Sequence, residues 1–94
     1  METGTEPMER SFGITNKLGL HARAAAQLVR IANRFTSEIK IGRDEMEVNA
    51  KSIMGVLMLA APKDTTVVIR AEGDDAAAAI DAIGELIQAK FGEE

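Results

Sequence analysis

Apolar and polar residues alternate in four short segments of the chain, which predicts four strands that each turn one apolar face to a core. In the first segment Phe12 and Ile14 are the apolar positions. The segments run from Arg10 to Thr15, Ser37 to Ile41, Glu45 to Ala50 and Thr65 to Glu72. The turn residues Gly42, Arg43 and Asp44 separate the second segment from the third and predict a hairpin.

Helical periodicity lies between these strands. From Ala22 to Phe35, the apolar residues recur at the i, i+3, i+4 and i+7 spacing of an amphipathic helix: Leu28, Ile31, Ala32 and Phe35. A shorter apolar stretch, Ile53 to Ala61, follows Ser52, whose hydroxyl can cap the first turn of a helix. The sequence therefore predicts one long and one short helix in the first two thirds of the chain.

A third helix is predicted near the end of the chain. Asp74 is its expected N-cap, Asp75 complements its dipole, and Gly92 is its expected stop. Its predicted core positions are Ala76, Ala79, Ile80, Ile83, Ile87 and Phe91.

The element order is strand, helix, strand, strand, helix, strand, helix. Four strands with one apolar face each, and three helices to cover that face, predict a two-layer α+β sandwich whose other sheet face is in water. We expect residues 1–7 to form a disordered leader, residues 8–92 a single domain and residues 93–94 a tail.

Composition excludes several classes of function. The 94 residues include no cysteine and one histidine, so thiolate chemistry, disulfides and multi-histidine metal sites are excluded. The formal charge of -4 and the absence of Trp and Tyr argue against nucleic-acid binding. No apolar run approaches the roughly 18 residues of a membrane span. These features predict a cytoplasmic protein with no metal, cofactor or inserted membrane segment.

His21 is the one side chain that ordinarily titrates near neutral pH, and it lies where the first loop becomes the first helix. The amides of the first helical turn, Ala22 to Ala24, have no partner within the helix and favour an anion. Arg23 can add a charge-assisted hydrogen bond. This combination is typical of a site that takes up a phosphoryl group on the imidazole. The alternative is a solvated or capping histidine, which is the more common role of a lone loop histidine.

The second candidate feature is the short helix after Ser52. It is apolar almost all round, so some of its large side chains must face solvent or a partner: Ile53, Met54, Leu57 and Met58. Alternatively, loops and the third helix bury the excess. Phosphorylation of Ser52 would add negative charge at a helix start, which the fold tolerates, beside an apolar surface, where it would oppose binding.

Two motifs together resemble the HPr family of histidine-containing phosphocarriers of the bacterial phosphoenolpyruvate phosphotransferase system. They are Thr15 to Arg23, which precedes an alanine-rich helix, and Asn49 to Val56. The resemblance covers about Met8 to Phe91. It implies an open-faced sandwich with a four-stranded antiparallel sheet in the order 1-4-2-3 under three helices, the βαββαβα arrangement.

The resemblance also implies roles for individual residues. His21 matches the histidine that enzyme I phosphorylates on Nδ1 and that passes the group to IIA-type acceptors, and Arg23 matches the phosphate-binding arginine. Ser52 matches the serine modified by HPr kinase/phosphorylase. The expected partner-binding residues are Leu20, Lys51, Ile53, Met54 and Leu57. Such a protein is a stoichiometric carrier rather than an enzyme, and we expect a monomer.

Three points stay open at this stage. The family usually has proline after the arginine, whereas this chain has Ala24, which supplies one more amide and a looser helix start. Some motif residues resemble the nitrogen-related branch and others the kinase-regulated branch, so a regulatory partner protein controlled at Ser52, without sugar transport, is the main alternative. A small ligand-binding domain without phosphorylation is a third hypothesis.

Overall fold

The computed structural model describes residues 7–93, which form four strands, three helices and a short 3-10 turn. In chain order the elements are β1 (Met8–Gly13), α1 (Ala22–Ala32), β2 (Glu38–Arg43), β3 (Met46–Asn49), α2 (Ile53–Leu59), β4 (Thr66–Glu72) and α3 (Ala76–Gln88), with the 3-10 turn at Lys90–Gly92. This is the predicted order of strands and helices.

All strand pairs are antiparallel, and the sheet order is β1-β4-β2-β3. Strand β4 lies in the middle, where Ile69 pairs with Arg10 of β1 on one side and with Ile41 of β2 on the other. The implied order 1-4-2-3 is therefore confirmed, and the fold is an open-faced α+β sandwich.

The three helices cover one face of this sheet, and the alternation along each strand decides which face is buried. Val67, Ile69 and Ala71 of β4 are buried, whereas Thr66, Arg70 and Glu72 are exposed. The largest fully buried side chains are aliphatic and come from both layers, namely Ile14, Leu28, Ile39, Ile41, Leu59, Ile69, Ile80, Ile83 and Ile87. Among the described residues, no helix is long and apolar enough to cross a membrane.

Several predicted boundaries shift by two or three residues. Strand β1 ends at Gly13, although Ile14 still donates its N–H to the Thr65 carbonyl at 2.8 Å. Helix α1 ends at Ala32, not at Phe35, because the Asn33 side chain donates to the Val29 carbonyl at 2.9 Å and to the Lys51 carbonyl at 3.2 Å. Asn33 thus ends the helix and links it to the loop before α2.

The predicted ends of α3 are wrong. The N-cap is Asp75 rather than Asp74, and its carboxylate accepts hydrogen bonds from Thr36 and Ser37 instead of capping α3. The helix ends at Gln88 rather than at Gly92, because the backbone reverses into the 3-10 turn where Phe91 has a φ of 56°. That reversal buries the Phe91 side chain, which is 4% exposed.

The predicted division of the chain differs at its end. Residues 1–6 of the expected leader lie outside the described residues, and Pro7 is exposed and outside the strand. Glu93 was expected to belong to a tail, but its carboxylate contacts Leu18 and His21. Glu93 therefore packs against the loop before α1.

Candidate functional site

His21 is the N-cap of α1, with extended backbone (φ -75°, ψ 179°). Its N–H donates to the Gly19 carbonyl at 2.9 Å, and its carbonyl accepts the Ala25 N–H at 2.8 Å. Gly19 has a φ of 66°, and a Cβ there would lie 2.6 Å from the Ala61 carbonyl oxygen, so only glycine fits this approach. The tight loop holds the His21 side chain at the surface, where it is 27% exposed.

The first turn of α1 presents its amides next to this imidazole. The bond from Ala25 to His21 is the first in the helix, so the amides of Ala22, Arg23 and Ala24 have no helical acceptor. The first turn of α1 carries no acidic side chain that would compete for these donors. The predicted phosphate-binding amides therefore lie at a helix N-terminus, where partial positive charge favours an anion.

An open cavity of roughly 430 Å³ lies beside His21. Its lining comes from the loop, from the start of α1 and from the end of the chain, namely Leu18, His21, Arg23, Gln27, Phe91, Gly92 and Glu93. The structure thus brings His21 and Arg23 together on one cavity, with the Arg23 side chain exposed to solvent.

Glu93 is a residue of this site that the sequence analysis missed. Its Oε2 lies 3.2 Å from His21 Nε2, and its Oε1 accepts the Leu18 N–H at 3.4 Å. Burial raises the pKa of the Glu93 carboxyl, yet hydrogen bonds from the Leu18 amide and the Asn16 side chain outweigh it and leave the pKa below its ordinary value. Near neutral pH the imidazole therefore faces a carboxylate.

The signal for Glu93 in the sequence is weak. Phe91 is an apolar residue after the last helical position, and Gly92, with a φ of 74°, lets the chain turn back. An apolar anchor followed by glycine and an acid indicates a returning chain end, but nothing in the pattern gives its destination. Asn16, also missed, is buried and donates its side-chain N–H to the Gly19 carbonyl at 2.7 Å.

Helix α2 begins as predicted. The Ser52 hydroxyl accepts the Gly55 N–H at 3.1 Å, and the helix covers the sheet with Val56 and Leu59. Its other face leaves several apolar side chains exposed, namely Ile53 at 38%, Met54 at 66%, Leu57 at 38% and Met58 at 65%. Leu18, beside His21, is 64% exposed. We call these five residues the apolar patch.

Two expected partner-binding residues have other positions. Leu20 is 4% exposed and its N–H donates to the Ala61 carbonyl at 2.8 Å, so it belongs to the core. A loop has no periodicity from which buried and exposed apolar residues can be told apart, so the sequence did not show that Leu18 rather than Leu20 is exposed. The Lys51 amine is half-buried and donates to the Phe35 carbonyl at 2.7 Å, so it joins the end of α1 to the start of α2.

Within residues 7–93, no group of three or more histidine, cysteine, aspartate or glutamate side chains could hold a metal ion. The chemistry that this site offers is that of an imidazole, a guanidinium and unpaired amides. Such groups bind an anion and supply a nitrogen nucleophile.

The comparison with protein families shows which family the chain belongs to. A family model described as the PTS HPr component phosphorylation site matches residues 8–89. The chain belongs to the HPr family. HPr of Cupriavidus necator is 49% identical to it over 86 residues, which are 92% of this chain and 97% of that protein.

Two further relatives of the HPr family extend the comparison. NPr of Shewanella violacea is 46% identical over 86 residues, which are 92% of this chain and 94% of that protein. The crystal structure of HPr from Thermoanaerobacter tengcongensis superimposes with a TM-score of 0.89 at 48% identity, covering 93% of this chain and 98% of that chain.

Membership of the HPr family makes this chain a phosphocarrier of the phosphotransferase system, that is, a carrier protein rather than a catalyst. The match covers His21, Arg23 and Ser52 and ends at residue 89, so Glu93 lies outside it. The contact between Glu93 and His21 is therefore a feature of this chain that the family match does not describe.

Proposed function

We propose that this HPr-family protein accepts a phosphoryl group from phospho-enzyme I on His21 and passes it to IIA-type acceptors. The observation that supports this most strongly is the position of His21, a partly exposed imidazole at the N-cap of α1. The unpaired amides of Ala22 to Ala24 begin the helix directly beside it.

In this proposal His21 Nδ1 attacks the phosphorus atom of the donor phosphohistidine. The nitrogen–phosphorus bond of the donor breaks as the one at Nδ1 forms, and the leaving imidazole of the donor regains its lone pair. The phosphoryl oxygens accept hydrogen bonds from the amides of Ala22, Arg23 and Ala24, and the Arg23 guanidinium adds a positive charge. Each protein molecule carries one group as phosphohistidine and is not a turnover catalyst.

Ala24 adds to this cradle. Proline lacks an N–H, so a chain with proline at this position has one donor fewer at the start of α1. We expect phosphoryl transfer to occur with Ala24, and Ala24→Pro to change its rate by altering the number of donors and the rigidity of the helix start.

The apolar patch is the surface that would meet enzyme I and the acceptors. Leu18 lies beside His21, and Ile53, Met54 and Leu57 project from α2. Methionine and leucine side chains adapt to different partners, so one surface can serve donor and acceptors in turn. Lys51 contributes through the start of α2, since its amine is held by the Phe35 carbonyl.

The test is phosphorylation by enzyme I and phosphoenolpyruvate. The wild-type protein should gain one acid-labile phosphate, and His21→Ala should gain none. Arg23→Ala should slow the gain, whereas Arg34→Ala, the same change at an exposed arginine beyond the other end of α1, should not. Label that persists in His21→Ala would overturn the assignment of the site.

A second function is favoured by Ser52. Its hydroxyl caps α2, and the exposed side chains of Ile53 and Met54 follow directly. In this alternative the protein is mainly a regulatory partner in a nitrogen-related or catabolite-control relay, without sugar transport, and HPr kinase/phosphorylase modifies Ser52. A phosphate there adds about 1.5 to 2 negative charges at the edge of the apolar patch.

The two functions separate by experiment. With ATP and the cognate kinase, wild type should be labelled and Ser52→Ala should not, and the label should be stable to acid, unlike phosphohistidine. Absence of label on wild type would remove the regulatory alternative and leave phosphoryl transfer at His21 unaffected.

The proposal also covers location and assembly. We propose a cytoplasmic monomer, which would share one compartment with the phosphoryl donor and acceptors proposed above. Light scattering should give the mass of one chain rather than two, and cell fractionation should recover the protein with the soluble fraction.

A further inference from the structure

The Glu93 carboxylate is fixed at two points against the loop before α1. One oxygen lies 3.2 Å from His21 Nε2 and the other accepts the Leu18 N–H. The residues before it are also held, since Phe91 is buried and the Glu93 N–H donates to the Lys90 carbonyl at 2.8 Å. The carboxylate is therefore placed by the fold rather than by a long, free side chain.

From this geometry we propose that Glu93 is the positioning residue of the phosphoryl-transfer site, where it accepts the Nε2–H of His21 and so leaves the Nδ1 lone pair as the nucleophile. The inference deepens the proposed function and rests on it. In a neutral imidazole one ring nitrogen carries the proton and the other has a free lone pair. The hydrogen bond made by one nitrogen decides which of the two carries the proton.

Among the described residues, Glu93 is the charged group at the cavity that can play this part. The other charged side chain that lines it, Arg23, is a donor with no acceptor atom, so it cannot hold an imidazole N–H. The depressed pKa of the Glu93 carboxyl keeps it ionised and acceptor-only at neutral pH. Arg23 is left to face the incoming anion.

The arrangement also fits the charge that develops during transfer. When Nδ1 attacks phosphorus, the donor nitrogen–phosphorus bond breaks, the new bond forms and Nε2 keeps its proton, so the ring becomes positively charged. The Glu93 Oε2 lies 3.2 Å from Nε2, close enough for the carboxylate to stabilise the positive ring. In the onward transfer the ring leaves with the same proton on Nε2, so no proton has to enter or leave the site.

Nitrogen-15 NMR of the imidazole tests the tautomer directly. At about pH 9, where an ordinary histidine is neutral, the wild-type spectrum should show His21 mainly as the Nε2–H form. Glu93→Ala should raise the Nδ1–H fraction, and Glu93→Gln, which keeps an acceptor oxygen without the charge, should be intermediate. Glu85→Ala removes an exposed acid from α3, away from the cavity, and should match wild type.

The rate of phosphoryl uptake from enzyme I gives the functional readout. Glu93→Ala should accept phosphate about three- to fivefold more slowly, the factor expected from one partly exposed charged contact. Glu93→Gln should slow phosphoryl uptake by a smaller factor, and Glu85→Ala should keep the wild-type rate. Unchanged circular dichroism of all three variants controls for folding.

The outcomes separate this inference from the proposed function. A wild type that takes no phosphate from enzyme I overturns the function, whatever the tautomer. A wild type that is phosphorylated overturns the role of Glu93 if its His21 is mainly the Nδ1–H form, or if Glu93→Ala leaves the tautomer ratio or the rate unchanged.

Discussion

Replacing Ser52 by alanine removes the hydroxyl that caps α2, and we expect this change to destabilise the domain. The hydroxyl accepts the Gly55 N–H at 3.1 Å in a half-buried position, and α2 has only seven residues over which to spread the loss. Loss of such a cap costs about 1 kcal/mol. For a domain of this size that lowers the melting temperature by about 4–8 °C.

Thermal unfolding followed by circular dichroism measures the effect, and urea unfolding gives the same difference as a free energy. The matched variants are Ser52→Thr and Ser52→Asp, because both keep a capping oxygen in the extended backbone of residue 52 and should stay close to wild type. The reasoning fails if Ser52→Ala melts with wild type, or if Ser52→Thr falls as far as alanine. The result also sets the stability baseline for Ser52→Ala as a variant that cannot be phosphorylated.

Three further predictions concern the hydrogen bonds of Asp75, the core and the surface. The hydrogen bond from Ser37 lowers the pKa of Asp75 to about 2 from 3.8, so its stabilising contribution is present above pH 3.8 and is lost as the pH falls through 2. The free energy of unfolding that Asp75→Ala loses relative to wild type, measured with urea, should become smaller as the pH falls over that range. A loss that stays constant with pH would contradict this. Gly84→Ala should destabilise the domain, because its Cβ would lie 2.5 Å from the Phe12 ring. The overpacking costs ~1–3 kcal/mol, which exceeds the gain of ~1 kcal/mol in helix propensity. In a Phe12→Leu background the same substitution should cost less stability, and an equal cost would contradict the clash. Met54→Lys should weaken binding to enzyme I in calorimetry while stability stays within about 0.5 kcal/mol, and unchanged affinity would remove Met54 from the patch that binds partners.

Periodicity was a sufficient guide to the layers of this fold. In β4, Val67, Ile69 and Ala71 are buried and Thr66, Arg70 and Glu72 are exposed, as the pattern predicts. Strand β3 is the exception, since its predicted apolar position Met46 is 39% exposed. The same holds for the start of α2, where a hydroxyl precedes an apolar run and caps it. In both cases the contacts that determine the structure lie within one strand or helix, or between that element and the common core.

The parts that the sequence did not predict depend on contacts between distant segments. The Asp75 carboxylate accepts hydrogen bonds from Thr36 and Ser37, so it binds the bend before β2 instead of capping α3. Glu93 reaches His21 only because Phe91 is buried beneath the returning chain. No local pattern gives the direction in which a chain end returns. The sequence therefore predicted His21 and Arg23 at the start of α1 but not Glu93.

The central place of β4 in the sheet determines when this domain can fold. Strands β1 and β2 do not pair with each other, since each pairs with β4, and Phe12 finds its partner Val67 only after most of the chain has been made. Before residue 66 leaves the ribosome, only the β2–β3 hairpin and isolated helical turns can form. Such long-range pairing slows folding relative to helical bundles of the same length. We expect folding in one cooperative step after synthesis, without a stable half-sheet intermediate.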